Sequence, residues 1–212
     1  MTDMRKYSFK PAIRGVILTL AACCFAIPAA AQQPGGQGQQ APPTVAGAVR
    51  NFYNSVKGNT IRSGEKMPEE FYGLRPGSQE EVRTFGQQLS HVAIYNYLWC
   101  AEAKGEKNPN AGINLEKTLK TKDEILKALR ASYDYCDGAY ETLNDATGSG
   151  VITITQESGR KVQQTLIGLL MLNVVHNEEV YGSIVTSLRM KDIVPPSSER
   201  RPPPPGQEQK PQ

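Results

Sequence analysis

The side chains best suited to chemistry are few. The chain carries two histidines, His91 and His176. Each falls on or beside an apolar stripe of helical period, so two separate helices would turn an imidazole inward. Facing helices of a bundle are where buried metal sites are built, and a neutral imidazole is a common metal ligand. The same placement suits a histidine that is only hydrogen-bonded within a core, and both readings stand at this stage. Of the four cysteines, Cys100 and Cys136 lie in the body of the chain. Cys136 sits on a core stripe, where a thiol serves as a small apolar group. Ser63-Gly64-Glu65-Lys66 has the S-x-x-K spacing, but the S-D-N and K-T-G elements that make it an acyl-enzyme site are absent. The chain has no phosphate loop, HExxH motif or dinucleotide fingerprint. Tyr133, Tyr135 and Tyr140 read as packing residues, with Tyr135 at the surface.

Four segments must position these residues, and each repeats its apolar positions in steps of three and four. The first starts at Thr44 and runs through Val45, Val49, Phe52 and Val56, extending to Thr60 and Ser63 before Pro68. The second is expected to open at a capping box formed by Ser78 and Glu81. Val82, Phe85, Leu89, Val92, Asn96 and Trp99 follow, and Lys104-Gly105 closes it. The third opens at a second box, Thr121 with Glu124, and continues through Leu126, Leu129, Tyr133, Cys136, Tyr140 and Leu143. The fourth is expected from near Arg160, with Val162, Leu166, Leu169, Asn173, His176 and Val180 on one stripe. Together they imply an all-α four-helix bundle. The connection over residues 104–120 is long enough to cross the bundle, which allows the second and third helices to run parallel. Residues 151–155 (VITIT) have strand propensity but no evident partner, and read as an extended loop.

These starts bear on the cysteines. With parallel helices opening at Ser78 and Thr121, Cys100 and Cys136 differ in height by about 10 Å at ~1.5 Å per residue. A disulfide needs Cα atoms within about 7 Å. Geometry therefore demands a stagger between the helices, while an oxidising compartment would favour the bond.

Such a compartment is suggested by the first 31 residues, which read as a signal peptide. Arg5, Lys6, Lys10 and Arg14 precede an apolar run, Pro28 ends it, and Ala29-Ala30-Ala31 offers a cleavage site before Gln32. Leu20-Ala21-Ala22-Cys23 resembles a lipobox, so lipidation at Cys23 is the competing outcome and the one that would place the protein on a membrane. Residues 32–43 read as a Gln/Gly/Pro-rich disordered linker, 44–196 as the folded domain and 197–212 as a disordered, Pro-rich tail. The whole chain has 24 basic and 21 acidic residues, and the excess lies within the first 31. The remainder is balanced at 20 of each, which gives no footing for a nucleic-acid partner. The expected location is the periplasm or the cell exterior.

Three stretches carry a family resemblance. They are His176-Asn177-Glu178-Glu179-Val180-Tyr181-Gly182 running on to Val194-Pro195-Pro196, Thr84 through His91, and Lys66-Met67-Pro68-Glu69-Glu70-Phe71-Tyr72 with Arg75-Pro76. They resemble the last helix, the second helix and the first connection of DinB-like (DinB/YfiT) proteins. The resemblance spans roughly residues 44–198. It implies a four-helix bundle of unusual connectivity and a divalent metal (zinc, nickel or iron) held by three histidines. One of these lies on the second helix, and two lie four residues apart on the last. His91 and His176 match the first two positions, but the third is Val180, which cannot coordinate. Two imidazoles hold a metal weakly compared with three. Glu179 is the nearest substitute ligand, whereas Glu178 faces the other way. Some members are thiol-dependent transferases or isomerases, a role that export disfavours because small thiols are scarce in oxidising compartments. The resemblance thus implies a binding or structural module with a degenerate metal site and a small-molecule ligand. The competing reading is a transferase or hydrolase with a third ligand. A homodimer is open.

Overall fold

The computed structural model describes residues 43–155 and 158–199. The expected signal peptide, the lipobox at Cys23, nearly all of the linker and the tail beyond residue 199 lie outside the described residues. Four long helices dominate: α1 (Val45–Lys66), α2 (Phe85–Lys104), α4 (Lys122–Glu141) and α6 (Leu166–Arg189). Between them lie the single-turn helices α3 (Leu115–Thr118) and α5 (Asp145–Gly148), and a hairpin of β1 (Val151–Thr155) with β2 (Lys161–Thr165). Each long helix begins at a threonine whose hydroxyl accepts a backbone N–H of the first turn: Thr44, Thr84, Thr121 and Thr165. An N-cap of this kind satisfies one of the donors a helix start leaves unpaired.

Around the bundle the order is α1, α6, α2, α4, so the consecutive helices α1 and α2 sit on a diagonal. α2 and α4 run parallel, because Asn96 meets Ser132 and Cys100 meets Cys136 at one constant offset. α1 runs against α4, with Tyr53 beside Tyr133 near one end and Gly64 against Leu126 near the other. The core is continuous through the bundle and includes Val49, Val56, Leu89, Val92, Leu129, Tyr133, Leu170 and Ile184. Gly64 matters here, since a Cβ on it would lie 2.7 Å from Leu126 Cδ2. α1 therefore continues through this glycine to Lys66, because the close approach of α4 requires it.

Four expectations need correction. α2 starts at Phe85, not at Ser78. Arg75 folds the intervening chain over its guanidinium, donating to the carbonyls of Glu80 and Val82. The first free N–H groups of the helix, on Phe85 and Gly86, reach Leu74 O at 2.8 Å and Tyr72 O at 2.9 Å. The capping box is Thr84 with Gln87. The second correction follows from the first. Counted from Thr84 and Thr121, Cys100 and Cys136 stand at nearly the same height, and they form a disulfide with Cα atoms 5.2 Å apart. No stagger is needed.

Third, the inner face of α1 is Ala46, Val49, Tyr53, Val56, Thr60 and Ser63, while Val45 and Phe52 are exposed. Tyr53 wins the interior because its ring stacks on Tyr140 at 3.7 Å and its hydroxyl reaches Tyr133 O and Asp137. Fourth, residues 151–155 do have a partner. They pair antiparallel with Lys161–Thr165, so Val162 lies opposite Ile154 and α6 starts only at Leu166. Val180 is half-buried on that helix, whereas Leu169 and Asn173 are buried. Among the described residues no helix is long and apolar enough to cross a membrane.

Candidate metal centre

His91 lies in the second turn of α2 and is 8% exposed, and His176 lies midway along α6, half-buried. The antiparallel packing of α2 on α6 brings the rings together, Nε2 to Nε2 at 3.2 Å, with centroids 5.0 Å apart. Two nitrogens bound to one tetrahedral ion at about 2.0–2.1 Å each would lie about 3.3 Å apart. The two imidazoles therefore have the separation that a shared cation requires.

Both rings are held from behind. His91 Nδ1 lies 2.6 Å from Glu116 Oε1, and the other oxygen of Glu116 takes Arg83 Nε at 3.0 Å. A carboxylate on Nδ1 fixes the proton there and leaves Nε2 as the acceptor nitrogen facing His176, the arrangement that supports metal-bound histidines. Glu116 reaches this position through α3, which is capped by Asn114 and follows a turn at Asn110. His176 Nδ1 lies 3.3 Å from Asn177 Oδ1. Burial is the main influence on His176 and lowers its pKa. His91 and Arg83 push the same way, while the Asn177 contact and Glu179 oppose. The ring is thereby biased toward the neutral, ligating form.

The pair opens onto a cleft of about 540 Å³. Tyr95 and Trp99 form its aromatic wall, with Tyr95 4.6 Å and Trp99 4.9 Å from the His176 ring between centroids. Val180 and Glu179 line the same cleft, and Glu178 is not among its walls. Among the described residues no group of three or more His, Cys, Asp or Glu side chains is placed to hold an ion. The protein's own convergent donors here are the two imidazoles. The S-x-x-K match has no chemistry: Ser63 is buried and donates to Asn59 O, and Lys66 binds Val194 O and Glu199.

Sequence reasoning missed Glu116, Tyr95 and Asn177. Glu116 sits in a connection with no periodicity to betray its direction. Asn96 and Asn173, however, already fell on inward stripes, and buried amides demand partners. That signal pointed toward a polar network at this level of the bundle.

Comparison with known proteins places the fold. The DinB superfamily model matches residues 58–181. A search of characterised proteins finds no significant match. Among solved structures, the chain is similar to the crystal structure of a DinB-like protein, YjoA, from Bacillus subtilis. The TM-score is 0.54 and the identity 17%, over 73% of this chain and 99% of that one. With the family's model matched over more than half its length and the bundle matched in space, the chain belongs to the DinB superfamily.

Proposed function

We propose that this protein is an exported binding module whose cleft holds a divalent cation weakly through His91 and His176 and uses it to capture a small molecule. The observation that carries the reading is the convergence of the two Nε2 atoms at 3.2 Å, with Glu116 behind His91. Zinc, nickel and iron all accept imidazole nitrogen. Two protein ligands leave the remaining positions of a bound ion to water or to a donor atom of the captured molecule, whose charge the ion would polarise. Val180 closes off the position from which a third imidazole would come. The aromatic wall of Tyr95 and Trp99 suits a flat or apolar body. Gln88 Oε1, buried on the cleft wall without a hydrogen-bond partner, suits a donor on the same molecule. Export is supported by the signal-like first 31 residues and by the Cys100–Cys136 bond, which persists in oxidising compartments.

The competing reading is a metal-dependent transferase or hydrolase with Glu179 as third ligand, favoured by the place of Glu179 on the cleft wall. Elemental analysis and calorimetric titration with Zn²⁺ and Ni²⁺ separate the two. The wild type should purify with less than one metal per chain and bind weakly, and Glu179→Gln should bind equally well. Affinity should fall as pH drops through the histidine range, because ligand imidazoles must be neutral. The lowered pKa of His176 moves that loss toward the acid side of an ordinary histidine. Tightly held, stoichiometric metal that Glu179→Gln releases would overturn the binding-module reading in favour of the enzyme.

A further inference from the structure

His91 owes its orientation to a carboxylate, whereas the group at Nδ1 of His176 is an amide. Its Nδ1 faces Asn177 Oδ1, and Asn177 is completely buried. An amide can present either an acceptor or a donor, so the tautomer of His176 depends on what fixes Asn177. The fixing begins three residues away across the bundle core. Ser132 donates its only hydroxyl hydrogen to Leu129 O at 2.7 Å, a backbone carbonyl that can only accept. Ser132 Oγ is then an acceptor toward Asn96, whose Nδ2 donates to it at 3.1 Å. Asn96 Oδ1 is thereby turned to α6, where it accepts from Asn177 Nδ2 at 2.9 Å and from Asn173 Nδ2 at 3.0 Å. With its NH₂ committed to Asn96, Asn177 presents Oδ1 to the imidazole.

We infer that Ser132, Asn96 and Asn177 form a buried relay of positioning residues that hold His176 as the Nδ1–H tautomer and aim its Nε2 lone pair at the same point as that of His91. All three are fully buried, which shields these bonds from bulk solvent. Reversing one amide would set like groups against each other, at about 1–3 kcal/mol for each buried group left unpaired. The relay spans α4, α2 and α6. It aims the two ring lone pairs at one point, where a proton or a cation would be shared between them. Its bearing on affinity rests on the cation reading above, but the tautomer itself does not.

The test is ¹⁵N-histidine NMR on the metal-free protein above the histidine titration range, for wild type, Asn177→Leu and Ser132→Ala. In the wild type, His176 should carry its proton on Nδ1. Both substitutions should move it toward Nε2–H while His91 stays Nδ1–H. Ser132→Ala is the decisive variant, because Ser132 touches neither histidine and a purely local packing role would leave the tautomer alone. Zinc titration of the same proteins should show binding about 10–100-fold weaker in Asn177→Leu, the usual loss when a group supporting a metal ligand is removed. A wild-type His176 protonated on Nε2, or on both nitrogens, overturns the relay. So does a tautomer that moves in Asn177→Leu alone. The expected tautomers with no zinc binding in any variant would sustain the relay and overturn the cation reading.

Discussion

The two faces of α2 differ in kind. Toward the core and α4 the helix presents Phe85, Leu89, Val92 and Cys100, all fully buried, and the last is covalently joined to Cys136 on α4. Toward α6 it presents His91, Tyr95 and Trp99, which leave a cleft open to solvent. The first face is dry, parallel and cross-linked. The second is antiparallel, and its wall groups are polar or aromatic with room between them. Packing one face tightly is what allows the other to stay incomplete, since a cleft gains little burial and must be held open by stiff neighbours. Asn96 belongs to both faces, bonding Ser132 on one side and Asn173 and Asn177 on the other. The contrast makes a definite claim: changes on the α4 side should move stability, and changes on the α6 side should move binding.

The largest effect should come from Leu129→Ala, which removes a fully buried side chain from the dry face. Chemical denaturation should show a loss of about 2–5 kcal/mol, and a loss near zero would mean that the α2–α4 seam is not the stability core. Next is the double change Cys100→Ser with Cys136→Ser. The bond links residues 36 apart, so its removal should cost about 2–4 kcal/mol. Zinc affinity in the folded double variant should stay where it was, and a large drop would break the division between the faces.

On the other face, Val180→His should add a third imidazole one turn beyond His176. Calorimetry should show zinc binding tightened on the order of 100-fold, about 2.7 kcal/mol. No gain would place position 180 out of reach of the pair. The smallest expected effect is that of Glu116→Gln. Zinc binding should weaken about 10-fold, the low end for a supporting partner, because Gln still accepts from Nδ1. Its denaturation midpoint should barely move, and substantial destabilisation would show that the Arg83–Glu116–His91 chain holds the fold as well as the ring.

The sequence made parts of this contrast legible and hid others. α4 could be read from its capping box and its 3-4 stripe because every stripe position from Leu129 on is buried by its neighbours. α2 was legible in its interior but not at its start. Two capping-box patterns lie six residues apart, and contacts made in space, those of Arg75 and of the Leu74 and Tyr72 carbonyls, choose Thr84. That one choice decided the disulfide. The hairpin was obscure because Lys161–Thr165 is largely polar, so β2 offers no apolar alternation to set against VITIT. At the site, His91 and His176 stood out by rarity, and their convergence followed from the family resemblance together with inward phasing. Glu116 and Asn177 could not stand out. One lies in an aperiodic connection, and the other is an amide whose role depends on a hydroxyl 45 positions earlier in the chain.

The disulfide has one more consequence. The chain between Cys100 and Cys136 includes the long crossing over residues 105–121, the exposed connection that carries α3 and Glu116. A protease that cut this segment would produce two fragments still joined through sulfur. The nicked molecule would migrate as one species until a reductant was added. It would keep α2 beside α4, and with them the wall of the cleft. If the protein is exported as proposed, to a place where proteases are common and reductants scarce, the bond would act as a tether against loss of half the molecule as well as a brace.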